Sequence, residues 1–281
     1  MIINNETVRR PSPVLFDFYD LGDLYQDIIL IVSPPRCSST ALARVFWEHP
    51  KVRYYSHEPF ETRYYQNEGL EEVTAKLRFP LDLGKNRVKR NLNAAAEGTL
   101  VIKEMPYQVG KHFKHLLKLV TRPVIFLMRD PRLNIASRMK KKLEVGQPAH
   151  FPTIETGWEM LQAHIQTCES LGRDFILVDS HDFRNHPEYV LKKLFSVLKM
   201  PFNSQQTTWK SDPKVDLDNL GGQHSHLYDE VLGSSSLLPD VERIPSMETF
   251  PLEDGFRYHV QECLQIYRRL RKHPALIRAT A

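Results

Sequence analysis

Eight consecutive residues, Ser33-Pro34-Pro35-Arg36-Cys37-Ser38-Ser39-Thr40, bring four hydroxyls and one guanidinium into a tight polar loop. Ser38, Ser39 and Thr40 supply caps and hydroxyl donors for a helix beginning at that point. Such a loop turns backbone N–H groups and the positive end of the helix toward one place, which is suited to an anion. In a nucleotide-hydrolysing loop of the form G-x-x-x-x-G-K-[ST], a lysine reaches the terminal phosphates and the last hydroxyl holds magnesium. Thr40 fits the last position, whereas Ser33 and Ser38 stand in place of the glycines and Ser39 in place of the lysine. Arg36 is the loop's cation, and a guanidinium grips phosphate or sulfate in a fork without metal. The chemistry indicated is metal-free anion binding; the plain alternative is a serine-rich helix cap beside a surface arginine.

Three further groups can join this loop. Arg129-Asp130-Pro131 is followed by Ser137, two turns into a helical pattern, so Arg129 and Ser137 can approach a second phosphate. Asp130 is placed to cap that helix and Pro131 suits its first turn. Arg129 and Asp130 forming a structural pair is the competing account. His57-Glu58-Pro59-Phe60 carries an imidazole and a carboxylate side by side, and Lys103 ends a third apolar run. Along a strand, residues 57 and 58 point to opposite sides, so only one is expected to face Arg36.

The elements that must position these groups are legible as apolar runs. Residues 28–32 are β-branched or leucine and suit a strand buried on both faces, as in a parallel sheet. Short strands are expected at 51–57, 98–103 and 123–128, the first stopped by Pro59, which has no N–H to give. Ligands of open parallel sheets sit beyond the carboxyl ends of the strands, so Arg36, Glu58, Lys103 and Arg129 should share one crevice. Residues 62–96 read as a cover with a break at 78–82, not as part of the sheet. Ile154, Trp158, Leu161, Ile165 and Cys168 fall at helical spacing and suit core packing. A last helix, 256–272, is expected to pack Tyr258, Cys263, Ile266 and Tyr267 against the domain edge.

Composition narrows the classes. A chain of 281 residues, 41% hydrophobic and 26% charged, is ordinary globular material. A net charge of +4 is mild, and the basic runs 138–142 and 268–272 accompany no nucleic-acid-binding signature, so nucleic acid is not an expected partner. Cys37, Cys168 and Cys263 are far apart and odd in number, which gives neither a metal spacing nor a disulfide framework and suits a reducing compartment. His224 and His226 lack a third ligand in sequence, so no metal is expected. The polar stretch 1–13 has no following apolar run, and no stretch has the length of a membrane span, so a cytoplasmic location is expected.

With these motifs in view, the chain resembles the sulfotransferases that use 3′-phosphoadenosine 5′-phosphosulfate, in particular a microbial branch with Pro-Pro-Arg in the loop and a His-Glu-Pro-Phe stretch. The resemblance spans about residues 28–202, and includes Ile176-Leu177-Val178-Asp179 and Lys199-Met200-Pro201-Phe202. It implies that Arg36 with the N–H groups of Cys37, Ser38, Ser39 and Thr40 holds the 5′-phosphosulfate, and that Arg129 and Ser137 hold the 3′-phosphate. It implies Glu58 as base, with His57 as substitute, and Lys103 as a second cation at the leaving oxygen. A carboxylate at its ordinary pKa of about 4.3 is a weak base, so burial is expected to raise that of Glu58. The sequence departs from the family in having Cys37 and Ser38 for the usual Ser and Gly, which leaves the loop less free to take positive φ. It also lacks a tyrosine at Ser180 and an Arg-Lys-Gly near the C-terminus; the Lys210–Lys214 region is the substitute grip.

Together these readings give an α/β, three-layer, P-loop-like fold with a central parallel sheet flanked by helices. One domain is expected over 1–281, with a core at about 28–202 and an extension at 203–281. The expected activity is transfer of a sulfuryl group to a hydroxyl or amine of a small or carrier-bound acceptor. A magnesium-dependent phosphotransferase and a catalytically silent nucleotide-binding protein are the alternatives.

Overall fold

A computed structural model describes residues 19–84, 88–90, 92 and 96–279; the polar stretch 1–13 and part of the 62–96 cover lie outside them. Seven strands form one sheet: β1 (Asp27–Val32), β2 (Val52–His57), β3 (Leu81–Asp82), β4 (Thr99–Glu104), β5 (Val124–Met128), β6 (Phe175–Asp179) and β7 (Leu276–Ile277). Their order is β3-β2-β4-β1-β5-β6-β7, parallel throughout except for β3, which runs antiparallel to β2.

The apolar run of β1 explains its central place. Ile28, Leu30 and Val32 point to one face and Ile29 and Ile31 to the other, and all five are fully buried. Burying one such side chain is worth about 1.5–3 kcal/mol, so a strand apolar on both sides is most stable between two helical layers. Helices Phe113–Leu119, Trp158–Ser170 and Phe256–Leu270 cover the first face, and Ser39–Trp47 with Pro187–Val197 cover the second. Parallel strands place all their carboxyl ends along one edge, so the turns after β1, β2, β4 and β5 gather there.

Three local expectations are corrected. The 78–82 break contains a sheet strand, because Asp82 of β3 is gripped by Arg53 of β2 at 2.6 and 3.1 Å. The helical stripe begins at Trp158, not Ile154, which lies exposed in a preceding 3-10 turn. In the last helix Cys263 and Ile266 are buried, but Tyr258 faces solvent. Among the described residues no helix is long and apolar enough to cross a membrane.

Candidate active site

The turn after β1 is held in an unusual backbone conformation without glycine. Arg36 and Ser38 both have positive φ, 61° and 65°, so the substitution of serine for glycine did not prevent the bend. Left-handed conformation costs an L-residue roughly 1–2 kcal/mol, and the surroundings hold it in place. Asn134 donates to the carbonyl of Pro35 at 3.0 Å and accepts from the indole of Trp158 at 3.3 Å. Ser180 donates to the hydroxyl of Ser38 at 3.1 Å. A Cβ added to Gly157 would stand 3.3 Å from Pro34, which packs that corner from above. A turn of this kind aims successive backbone N–H groups into one concavity. The helix Ser39–Trp47 starts there without a side-chain cap, so its N-terminal N–H groups have no capping hydroxyl. The thiol of Cys37 turns into the core, where burial pushes its pKa up to about 12, so that residue can offer only its backbone.

A cavity of about 460 Å³ opens over this turn and is lined by Arg36, Ser38, Ser39, Thr40, Glu58 and Lys103, as well as by Arg129 and Ser137. The arginine of the loop reaches across it: Nε of Arg36 donates to Ser137 Oγ at 3.4 Å and Nη1 to the carbonyl of Leu227 at 3.2 Å. Ser137 thus sits beside Arg36, and among the described residues no hydrogen bond joins it to Arg129.

Arg129 is engaged elsewhere. It is buried and forks onto Asp240, with Nε–Oδ2 at 3.0 Å and Nη2–Oδ1 at 2.7 Å, and Glu242 lies 3.3 Å away. Asp130 caps the following helix through the N–H of Arg132 and pairs with the Arg132 side chain. The structural pair considered for Arg129 is therefore made with a residue 111 positions away and not with its neighbour.

At the end of β2 the strand alternation fails. Glu58 takes φ of 44°, which swings its carboxylate back to the side of His57. Its Oε1 lies 3.3 Å from Nε2 of His57 and accepts from Nζ of Lys103, while Oε2 accepts from Gln108 at 2.9 Å. The register of β2 on β4 sets His57 opposite Lys103, so the turn delivers Glu58 to the lysine. Burial alone would raise the Glu58 pKa, but Lys103 and then His57 outweigh it and hold the carboxyl well below the usual range. The expected upward shift is reversed, because an ammonium group shares the same dry pocket. His57 is enclosed: Nδ1 meets the hydroxyl of Tyr55 at 2.6 Å, Tyr228 stacks edge-on at 4.8 Å, and the ring does not line the cavity. Burial lowers its pKa, which favours the neutral ring. The neighbouring Glu104, raised to about 8 by burial and then by Glu58, accepts from the N–H groups of Phe60 and Met105.

Other lining residues left no signal in the sequence reading. Arg138, within the basic run 138–142, is tucked against Phe151 at 4.5 Å and pairs with Glu155. Tyr65 and Tyr107 share a hydroxyl contact of 3.1 Å beside it, giving one end of the cavity aromatic walls. His224 is bound through Nδ1 to Glu61 at 2.6 Å. These lining residues come from the helices Glu61–Gln66, Pro106–Val109 and Pro131–Glu144 and from the loop of His224, so tertiary packing and not a local pattern brings them together. Trp158 is fully buried and is not a wall of the cavity.

No family model matches the sequence, and no curated protein matches it. Solved structures do match in three dimensions. A sulfotransferase domain from the curacin biosynthetic pathway is 19% identical, with 87% of this chain and 97% of that chain covered and a TM-score of 0.51. The fold is sulfotransferase-like. A sulfotransferase domain from the Synechococcus PCC 7002 olefin synthase is 15% identical over 86% of this chain and 94% of its own, with a TM-score of 0.50. Mouse sulfotransferase SULT7A1, solved as a complex with PAP, is 12% identical over 91% and 93%, with a TM-score of 0.50.

Proposed function

We propose that this chain is a single-domain sulfotransferase that moves a sulfuryl group from 3′-phosphoadenosine 5′-phosphosulfate to a hydroxyl or amine of an acceptor, small or carrier-bound. The observation that carries the proposal is the glycine-free turn Ser33–Thr40, bent at Arg36 and Ser38 at the mouth of the same cavity that Lys103 lines. The bend supplies N–H groups and the two cations supply charge, which is what a transferring sulfuryl group and its leaving phosphate oxygen require. The fold supports the same reading, and SULT7A1, which has that fold, is a complex with PAP.

In this reading Arg36 and the backbone N–H groups of Cys37 to Thr40 hold the 5′-phosphosulfate. Lys103, fixed by Glu58, faces the leaving oxygen. Arg129 is the candidate for the 3′-phosphate, and the ligand must displace Asp240 to reach it. Ser137, beside Arg36, serves the same anion edge. Glu58 anchors Lys103, with one oxygen accepting from Lys103 and the other from Gln108.

Adenosine 3′,5′-bisphosphate is expected to raise the melting temperature without magnesium. At about 100 times its dissociation constant a ligand adds roughly 2.7 kcal/mol. Incubation with labelled donor and a metabolite extract should then yield sulfated product. Stabilisation only by ATP with magnesium would overturn the reading in favour of a phosphotransferase. A second reading, a catalytically silent nucleotide binder, would be selected by binding of the bisphosphate without any sulfated product.

A further inference from the structure

The segment 218–228 closes one side of the cavity, and its attachments converge on one carboxylate. Asn219 Nδ2 donates to the carbonyl of His57 at 2.8 Å and to Oε2 of Glu61 at 3.1 Å. Asp218 accepts from the N–H groups of Leu220 and His224, both at 2.5 Å, which fixes the backbone beside the imidazole. Glu61 is fully buried in the first turn of the helix Glu61–Gln66, and its remaining oxygen, Oε1, takes Nδ1 of His224 at 2.6 Å. Tyr65, one turn along that helix, sets its ring edge-on to the imidazole at 5.3 Å.

This arrangement fixes the tautomer. With Nδ1–H donated to a carboxylate, the lone pair of a neutral imidazole lies on Nε2. The imidazole is about a quarter exposed, lines the cavity shared by Arg36 and Lys103, and has no protein partner on Nε2 among the described residues. Neither of the other two candidates has this freedom, since Glu58 is buried with its oxygens engaged by Lys103 and Gln108 and His57 is enclosed by Tyr55 and Tyr228.

We infer that His224 is the general base of the reaction and that Glu61 is its positioning residue. The inference rests on the sulfuryl-transfer reading. The acceptor hydroxyl oxygen forms a new bond to sulfur as the bond from sulfur to the 5′-phosphate oxygen breaks, and that electron pair leaves with the nucleotide. The acceptor's proton passes to Nε2 of His224, and the resulting imidazolium, its Nδ1–H held by Glu61, later releases it to water. The charged groups facing His224 are consistent with this duty. Burial lowers its pKa, but Glu61, Glu58 and Asp218 together raise it above the ordinary value, and His226 and Tyr65 are its other titratable neighbours. The carboxylates strengthen the imidazole as a base, and its lone pair becomes available as the pH rises.

The test uses the full chain, the phosphosulfate donor and the acceptor found in the transfer assay. His224→Gln is expected to lower kcat by roughly 10²–10⁴ and to leave the melting shift produced by adenosine 3′,5′-bisphosphate unchanged, which also reports that the variant is folded. In the unaltered chain kcat/KM should rise with pH as His224 loses its proton. Glu61→Gln should move that limb to lower pH, since it removes the carboxylate that favours the imidazolium; a purely structural Glu61 would not move it. Turnover by His224→Gln within about twofold of the unaltered chain would overturn the assignment, as would a limb that stays in place in Glu61→Gln and moves in Glu58→Gln. Absence of any transfer by the unaltered chain overturns the sulfuryl-transfer reading itself, a result distinct from an active chain indifferent to His224.

Discussion

The two strand-turn-helix corners at the carboxyl edge of the sheet look alike in sequence and differ in what fills them. After β1, the turn of Arg36 is bent by two left-handed residues and carries a cation whose contacts are a hydroxyl and a carbonyl. After β5, the turn of Arg129 ends in a buried bidentate pair with Asp240. The first corner leaves its guanidinium on the cavity with neutral partners; the second holds a carboxylate from the chain's own 203–281 region. A motif fixes where a guanidinium emerges, but a distant acid decides whether it is free.

That contrast can be broken at Arg36. Arg36→Ala is expected to lower sulfuryl turnover by roughly 10²–10³, the usual loss on removing a donor aimed at developing charge. A mild effect there, with a severe one at Arg129, would invert the roles of the corners. The contrast is sharpened at Asp240. Asp240→Ala leaves a buried guanidinium with only Glu242 nearby and should destabilise the free chain by about 3 kcal/mol in urea unfolding. It should also enlarge the melting shift given by adenosine 3′,5′-bisphosphate, because the acid no longer competes. Arg129→Ala should weaken that ligand by about 1.5–3 kcal/mol more than its analogue lacking the 3′-phosphate. Equal losses for both ligands would place the 3′-phosphate elsewhere.

A smaller effect separates the cavity wall from both corners. The folded-state pKa of His224 is raised, so its charge-assisted pairing with Glu61 contributes stability below the ordinary histidine pKa of about 6.5 and loses it as pH rises through the raised value. Thermal melts of the unaltered chain and Glu61→Gln should therefore differ more at pH 6 than at pH 9. The smallest effect concerns the bend itself. Ser38→Gly relieves the left-handed strain but removes the hydroxyl to which Ser180 donates, so stability should change by less than about 1 kcal/mol. Its affinity for the bisphosphate should stay unchanged if backbone geometry, and not the serine, makes the site.

Much of the architecture was legible because its causes are local. The apolar run of β1 requires burial on both faces, Asp130 and Pro131 carry their capping role in their types, and strands feeding helices through short turns require parallel pairing. The placing of Arg36, Glu58, Lys103 and Arg129 on one edge followed from the same rule. Their protonation and availability were not legible. The turn of Glu58 toward Lys103 depends on one positive φ against the register of β4, which reverses the direction of its pKa shift. The pairing of Asp240 with Arg129 and that of Glu61 with His224 join residues 111 and 163 positions apart through irregular segments that have no periodicity to read. The sequence by itself determined which side chains reach the edge of the sheet, since local hydrophobic pattern and turn chemistry decide that. Only the tertiary structure decided which of them are neutralised, enclosed or left facing the cavity, because charge, burial and tautomer depend on whichever groups the folded chain brings within a few ångströms.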